Sequence, residues 1–263
     1  MGADFLQRID WSRPWLAPYR ELGCVLAAAA DWRGCANARA AGIRNSRGLQ
    51  VRFVPQSSLP EGVSYEAYIA ETGQVPTREN LHDFFNALVW LTFPRTKVQL
   101  NARQAAELEQ AANRPTSRRG RVRDAATLFD ENAAVLVVRD PGLLAALRAH
   151  RWFEVFVGQR ARFAAGCEVV LFGHALLEKL VTPYKSITAH AWPIVDDAFF
   201  SQPAPDQLSM LDLSTAGDLH GTLDTSRFTP LPVLGVPGWW EHQDEAFYAD
   251  PTVFRPLRAR PRS

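Results

Sequence analysis

A chain of 263 residues with 47% hydrophobic and 22% charged side chains has the composition of a globular protein with a sizeable core, which excludes a disordered or low-complexity chain. Its 29 Lys and Arg against 28 Asp and Glu leave a net charge of +1, so no global field draws it to nucleic acid or to an anionic membrane. The longest apolar runs, residues 87–93 and 133–138, fall far below the roughly 18 to 20 residues that cross a bilayer, and no membrane insertion is predicted.

The start, Met1-Gly2-Ala3-Asp4-Phe5, has neither a basic segment leading into an apolar run nor a small-residue cleavage site, so no export is expected. Residues 16–41, rich in Ala, Leu and Arg, predict one or two helices broken near 31–34, within an N-terminal helical lobe over 1–45. Asn45-Ser46-Arg47-Gly48 is a turn signal. Residues 49–54 then alternate apolar with polar as a half-buried strand does, and residues 63–70 are predicted as its partner.

Thr77 is the expected N-cap of a helix over 78–91, stopped by Pro94. A second helix follows over 97–113, then a basic loop over 116–123 and a short helix over 124–132. The β-branched run 133–139 reads as a buried strand, followed by a helix over 141–150. A strand over 168–172, a helix over 173–181 and an extended segment over 186–195 come next. From residue 196 prolines and glycines multiply around one helix at 206–219, which predicts a C-terminal wrap over 196–263. The expected fold is a helix-rich α+β single domain over 1–263. Its small mixed sheet is built from segments near Leu49, Val63, Ala133, Glu168 and Ser186.

Three constellations place polar residues in apolar surroundings. In Arg78-Glu79-Asn80-Leu81-His82-Asp83-Phe84-Phe85-Asn86, helical spacing stacks Arg78, His82 and Asn86 on one face with Asp83 beside them. In Gly173-His174-Ala175-Leu176-Leu177-Glu178, His174 and Glu178 are one turn apart, which suits a common metal or a carboxylate orienting an imidazole. In an extended chain Ser186, Thr188 and His190 share a face, and the short return after Pro183 is expected to bring His190 near His174. A solvated helix face, a surface pair and a solvent-facing strand are the plain structural alternatives for the three. Asp130 and Glu131 add carboxylates suited to a general base. Arg118, Arg119, Arg121 and Arg123 form a cationic loop able to hold phosphate or a nucleic-acid backbone, without interleaved aromatics for base stacking. No Gly-x-Ser-x-Gly elbow, Walker loop or dinucleotide glycine fingerprint occurs. Cys24, Cys35 and Cys167 lack zinc-knuckle spacing, and their odd count fits a reducing cytoplasm better than a disulfide framework.

The blocks Asn80–Trp90, Phe172–Glu178, Ile187–His190 and Leu234–Trp240 together resemble a proteobacterial family known as domain of unknown function 3025, over residues 5–256. That resemblance implies a bacterial protein with one family-wide domain and transfers no activity, cofactor or catalytic residue. Two function classes follow from the residues. One is a metal-assisted hydrolase of an unidentified small molecule, with zinc or manganese held by His82, His174, Glu178 and His190 and with Asp83 or Glu131 as base. The other is a non-catalytic protein binding an anionic partner, a nucleic acid or phosphorylated ligand, through the arginine-rich loop.

Overall fold

Every residue of the strand Ala133–Val138 (β3) is buried, as a strand covered on both faces requires. In the computed structural model, which describes residues 4–113 and 119–257, this strand lies inside a four-stranded mixed sheet. Cys167–Leu171 (β4) pairs antiparallel on one side, and Thr188–Val195 (β5) pairs parallel on the other. Thr229–Pro232 (β6) closes the β5 edge, giving the order β4-β3-β5-β6. The parallel β3–β5 pair needs a long crossover, and the chain supplies it with the helices Pro141–Arg148, Arg160–Gly166 and His174–Lys179. Trp192 on β5 packs edge-on against Phe129 and Phe228, which covers one face of the sheet with aromatic side chains.

Among the described residues six α-helices and a separate parallel pair of strands come before the sheet. Arg20–Ala28 (α1) and Trp32–Arg39 (α2) are the broken N-terminal helices, with Asp31 accepting from Gly34 N at 2.9 Å to cap the second. Arg52–Pro55 (β1) is the expected strand, but its partner is Gln74–Thr77 (β2), in parallel register. The predicted partner at 63–70 is instead the helix Tyr65–Thr72 (α3). Its stop signal is Gly73, whose φ of +72° is the left-handed geometry of a helix C-terminus. A Cβ there would also meet the Gln50 carbonyl oxygen at 2.4 Å.

Thr77 ends β2 and bonds Val75 O, so it is not the cap of the next helix. Leu81–Thr92 (α4) starts three residues later than a Thr77 cap implies, and Asn80 caps it by accepting from Asp83 N at 2.8 Å. Pro94–Asn113 (α5) follows at once, and Arg119–Asn132 (α6) runs directly into β3. The helices of the crossover are α7, α8 and α9 in the order given above, and Ala204–His220 (α10) packs on α5. Glu245–Tyr248 (α11) is the last helix before the chain turns over Phe156 and Phe254. The buried apolar side chains of both sheets form one continuous cluster. Among the described residues no helix is long and apolar enough to cross a membrane.

The α5–α10 contact rests on Asp212, 1% exposed, which accepts from Arg95 N, Thr96 N and Thr96 Oγ1 at 3.0, 2.8 and 2.8 Å. Replacing it leaves buried donors unpaired, which costs 1–3 kcal/mol per group. Asp212→Ala is therefore expected to lose about 3 kcal/mol in denaturant unfolding, and a loss below about 0.5 kcal/mol would show that α5 needs no such anchor.

Candidate metal centre

The β3–β4 pairing sets two helix ends side by side. The Ala133 carbonyl accepts from both Phe172 N and Gly173 N, at 2.9 and 2.8 Å. That places the C-terminus of α6, with Asp130 and Glu131, against the first residue of α9, His174. The approach is close enough that a Cβ on Gly173 would lie 2.5 Å from the Glu131 carbonyl oxygen and from Asn132 N. Glycine is required at 173 for clearance rather than for an unusual backbone angle.

His174 is buried, and its Nε2 lies 3.0 Å from His82 Nε2 on α4 and 3.4 Å from Glu131 Oε2. The two imidazoles cross at 74° with centroids 4.4 Å apart. One ligand atom from each of His82, Glu131 and His174 fits within a group no wider than 4.8 Å. Each imidazole also faces a carboxylate with its other nitrogen. His82 Nδ1 donates to Glu178 Oε2 at 3.0 Å, and His174 Nδ1 lies 3.8 Å from Asp130 Oδ1 without a hydrogen bond of its own. Asp130 is in turn held by the buried Lys97, Nζ to Oδ1 at 2.5 Å, whose ammonium stands over the Trp90 ring at 5.3 Å.

Burial pushes the His174 imidazole down to about 4, with Lys97 and His82 adding to the shift and Asp130 opposing it. It is therefore neutral near pH 7. Burial also acts on Asp130 in the raising direction, but Lys97 and His174 outweigh it and hold the carboxyl below its ordinary range. Glu131 is raised by burial and by the charge of Asp130. Glu66 on α3, which accepts from Asn101 Nδ2 at 2.6 Å, is lifted to about 7 by burial and by Asp130.

A cavity of about 290 Å³ opens over these atoms. His82, Glu131 and His174 line it together with Tyr65, Glu66, Arg78 and Asn86. A smaller cavity of about 130 Å³ shares Glu66, Asp130 and Glu131 with it and is lined further by Gln104, Thr127 and Arg123.

Of the residues singled out in the sequence, His82, His174 and Glu178 come together, and Glu131 joins them. Glu178 bonds to His82 and does not belong to the ligand-distance group. His190 stays apart. Its ring stands edge-on to Phe228, 6.1 Å away, because β5 turns His190 and Trp192 toward the same aromatic layer. Asp83 is occupied as well. It accepts from Arg78 N at 2.6 Å and pairs with the Arg78 side chain through Nε at 2.9 Å and Nη2 at 3.2 Å, so it is a poor choice for a base. In the arginine run, Arg118 lies outside the described residues, while Arg119, Arg121 and Arg123 are on helix α6 and not in a loop. Arg123 lines the small cavity that holds three carboxylates. Lys97, Glu66 and Tyr65 were not legible as site residues. The scarcity of lysine, with Lys97 one of three in the chain, was the available signal for the first, and misreading α3 as a strand hid the other two.

Two changes probe this construction. Gly173→Ala is expected to cost about 2 kcal/mol of stability, because backbone must move to admit the methyl group, and an unchanged denaturation midpoint would refute the close approach. Glu66 binds its proton more tightly folded, at about 7, than at its ordinary value of 4.5, so its contribution to stability declines as pH rises between those values. Glu66→Gln removes that decline. Its stability relative to wild type should grow by about 2 kcal/mol from pH 5 to pH 8, and an equal difference at both pH values would contradict the burial of this carboxyl.

A model of the family described as protein of unknown function, DUF3025, matches residues 51–258, which takes in every residue of this centre. No curated protein and no solved structure matches the chain. With most of its length matched by that model, the chain belongs to the DUF3025 family.

Proposed function

We propose that this protein is a metal-assisted hydrolase whose divalent transition ion is held by His82 Nε2, His174 Nε2 and Glu131 Oε2. The observation that carries this reading is the proton conflict between the two imidazoles. In the neutral form that a metal requires, His82 gives its Nδ1 hydrogen to Glu178 and keeps a lone pair on Nε2. If His174 carries its hydrogen on Nδ1, facing Asp130, two lone pairs confront each other at 3.0 Å. If the hydrogen is on Nε2, the Nδ1 lone pair is buried against a carboxylate. A cation between the Nε2 atoms removes both difficulties. Metal–nitrogen bonds of about 2.0–2.1 Å at a tetrahedral angle place ligand atoms roughly 3.3 Å apart. The 3.0 and 3.4 Å separations bracket that value.

Two nitrogens and one carboxylate oxygen suit zinc or manganese and leave a coordination position facing the cavity. Glu178 holds the His82 hydrogen on the side away from the ion, and the charge of Asp130 near His174 Nδ1 favours the same arrangement there. Glu178 thereby gains an orienting role in place of the ligand role expected for it. Water at the open position is acidified by the ion, and Glu66, on the same cavity and titrating near neutrality, is suited to take its proton.

Protein purified without chelator should carry close to one equivalent of zinc or manganese by elemental analysis. His174→Ala and Glu131→Gln should each lower the affinity for added zinc at least 10-fold, while Asp83→Asn should not. A folded wild type that neither retains nor binds these metals would end this reading.

A further inference from the structure

On the same cavity as the metal ligands, Tyr65 and Asn86 form a pair that the metal reading does not use. Asn86 lies one helical turn after His82 on α4, is 5% exposed, and donates from Nδ2 to the Tyr65 hydroxyl oxygen at 3.0 Å. Asn86 Oδ1 is buried without a partner. The reversed amide would leave its NH2 group buried and unpaired, which is rarer in proteins than an under-satisfied carbonyl. The phenol thus spends its oxygen on Asn86, and among the described residues nothing accepts its hydrogen. Burial, with the charges of Glu66, Asp83 and Asp130, raises the phenol well above its ordinary range, so the hydrogen stays on.

The wall around this donor holds no surplus positive charge. Among the described residues Arg78 is bridged to Asp83 and Lys97 to Asp130, which leaves the carboxylates of Glu66 and Glu131 to balance a divalent ion. Such a wall offers a phosphate dianion no net attraction and admits an uncharged carbonyl compound.

Resting on the metal-centre reading, we infer that the substrate is an ester or amide with no anionic group beside its carbonyl, and that Tyr65 is the catalytic hydrogen-bond donor to the oxyanion. Water deprotonated by Glu66, which a bound ion would acidify, adds to the carbonyl carbon, and the C=O π pair moves onto oxygen, where the Tyr65 O–H receives it without giving up its proton. Collapse of the adduct re-forms C=O and expels the alcohol or amine, which leaves with the proton Glu66 took from water. Asn86 is a positioning residue that keeps the phenol hydrogen free.

The test uses zinc-loaded full-length protein with p-nitrophenyl acetate and p-nitrophenyl phosphate, metal content being measured on every sample. Wild type should cleave the acetate at least 10-fold faster than the phosphate. Tyr65→Phe should lower kcat on the acetate about 100-fold with KM and bound zinc little changed. Asn86→Asp, whose carboxylate only accepts and so captures the phenol hydrogen, should fall comparably and serves if Tyr65→Phe does not fold. Turnover by either variant within twofold of wild type, or faster cleavage of the phosphate, would overturn the inference alone. Zinc-loaded wild type that cleaves neither ester would overturn the hydrolase reading beneath it and the inference with it.

Discussion

The doubly accepting carbonyl of Ala133 is the constraint on which the candidate centre depends. Because Phe172 N and Gly173 N both end on it, the first turn of α9 cannot swing away from the last turn of α6 without breaking the end of the β3–β4 ladder. A helix of six residues, His174–Lys179, would hold little structure by itself. Its position comes from the sheet, and with it the positions of His174 and Glu178. The third wall, α4, is anchored independently by the Asn80 cap and by a buried apolar run. His82 therefore meets His174 across two rigidly held elements rather than across loops, which is what fixed ligand spacing needs.

Electrostatics explain why such a cluster can sit at the edge of a core. Lys97 neutralises Asp130 inside the protein, and its ammonium stands over the Trp90 ring. Removing the lysine would leave a buried carboxylate unpaired, so the pair is an obligation of the fold as well as a support for His174. Among the described residues Glu66 and Glu131 have no matching cation at hydrogen-bond distance, and both are raised by burial and by Asp130. A divalent ion beside Glu131 supplies the charge that the protein's own side chains leave short.

Local spacing made part of this legible. The one-turn separation of His174 and Glu178, and of His82 and Asn86, places each pair on one helix face by spacing alone. The all-buried run at β3 was equally plain. What spacing does not contain is which neighbour a side chain meets. Glu178 shares a helix with His174 yet bonds across to His82. His190 was expected near His174, but it lies on β5 with its Cα paired with that of Ala133, and strand alternation turns its ring to Phe228. The segment 63–70 failed for a different reason. Its short run of Tyr and Ile suits either strand or helix, and only the left-handed Gly73 at its end decides between them. That misreading hid Tyr65 and Glu66, two walls of the cavity.

The central claim is that His82, His174 and Glu131 share one ion, and X-ray absorption spectroscopy of the zinc-loaded protein tests it most directly. The account predicts two imidazole nitrogens and oxygen ligands at about 2.0–2.2 Å, with one imidazole lost in His82→Ala. A shell of oxygen alone, or a sulfur neighbour at about 2.3 Å from one of the cysteines, would contradict it.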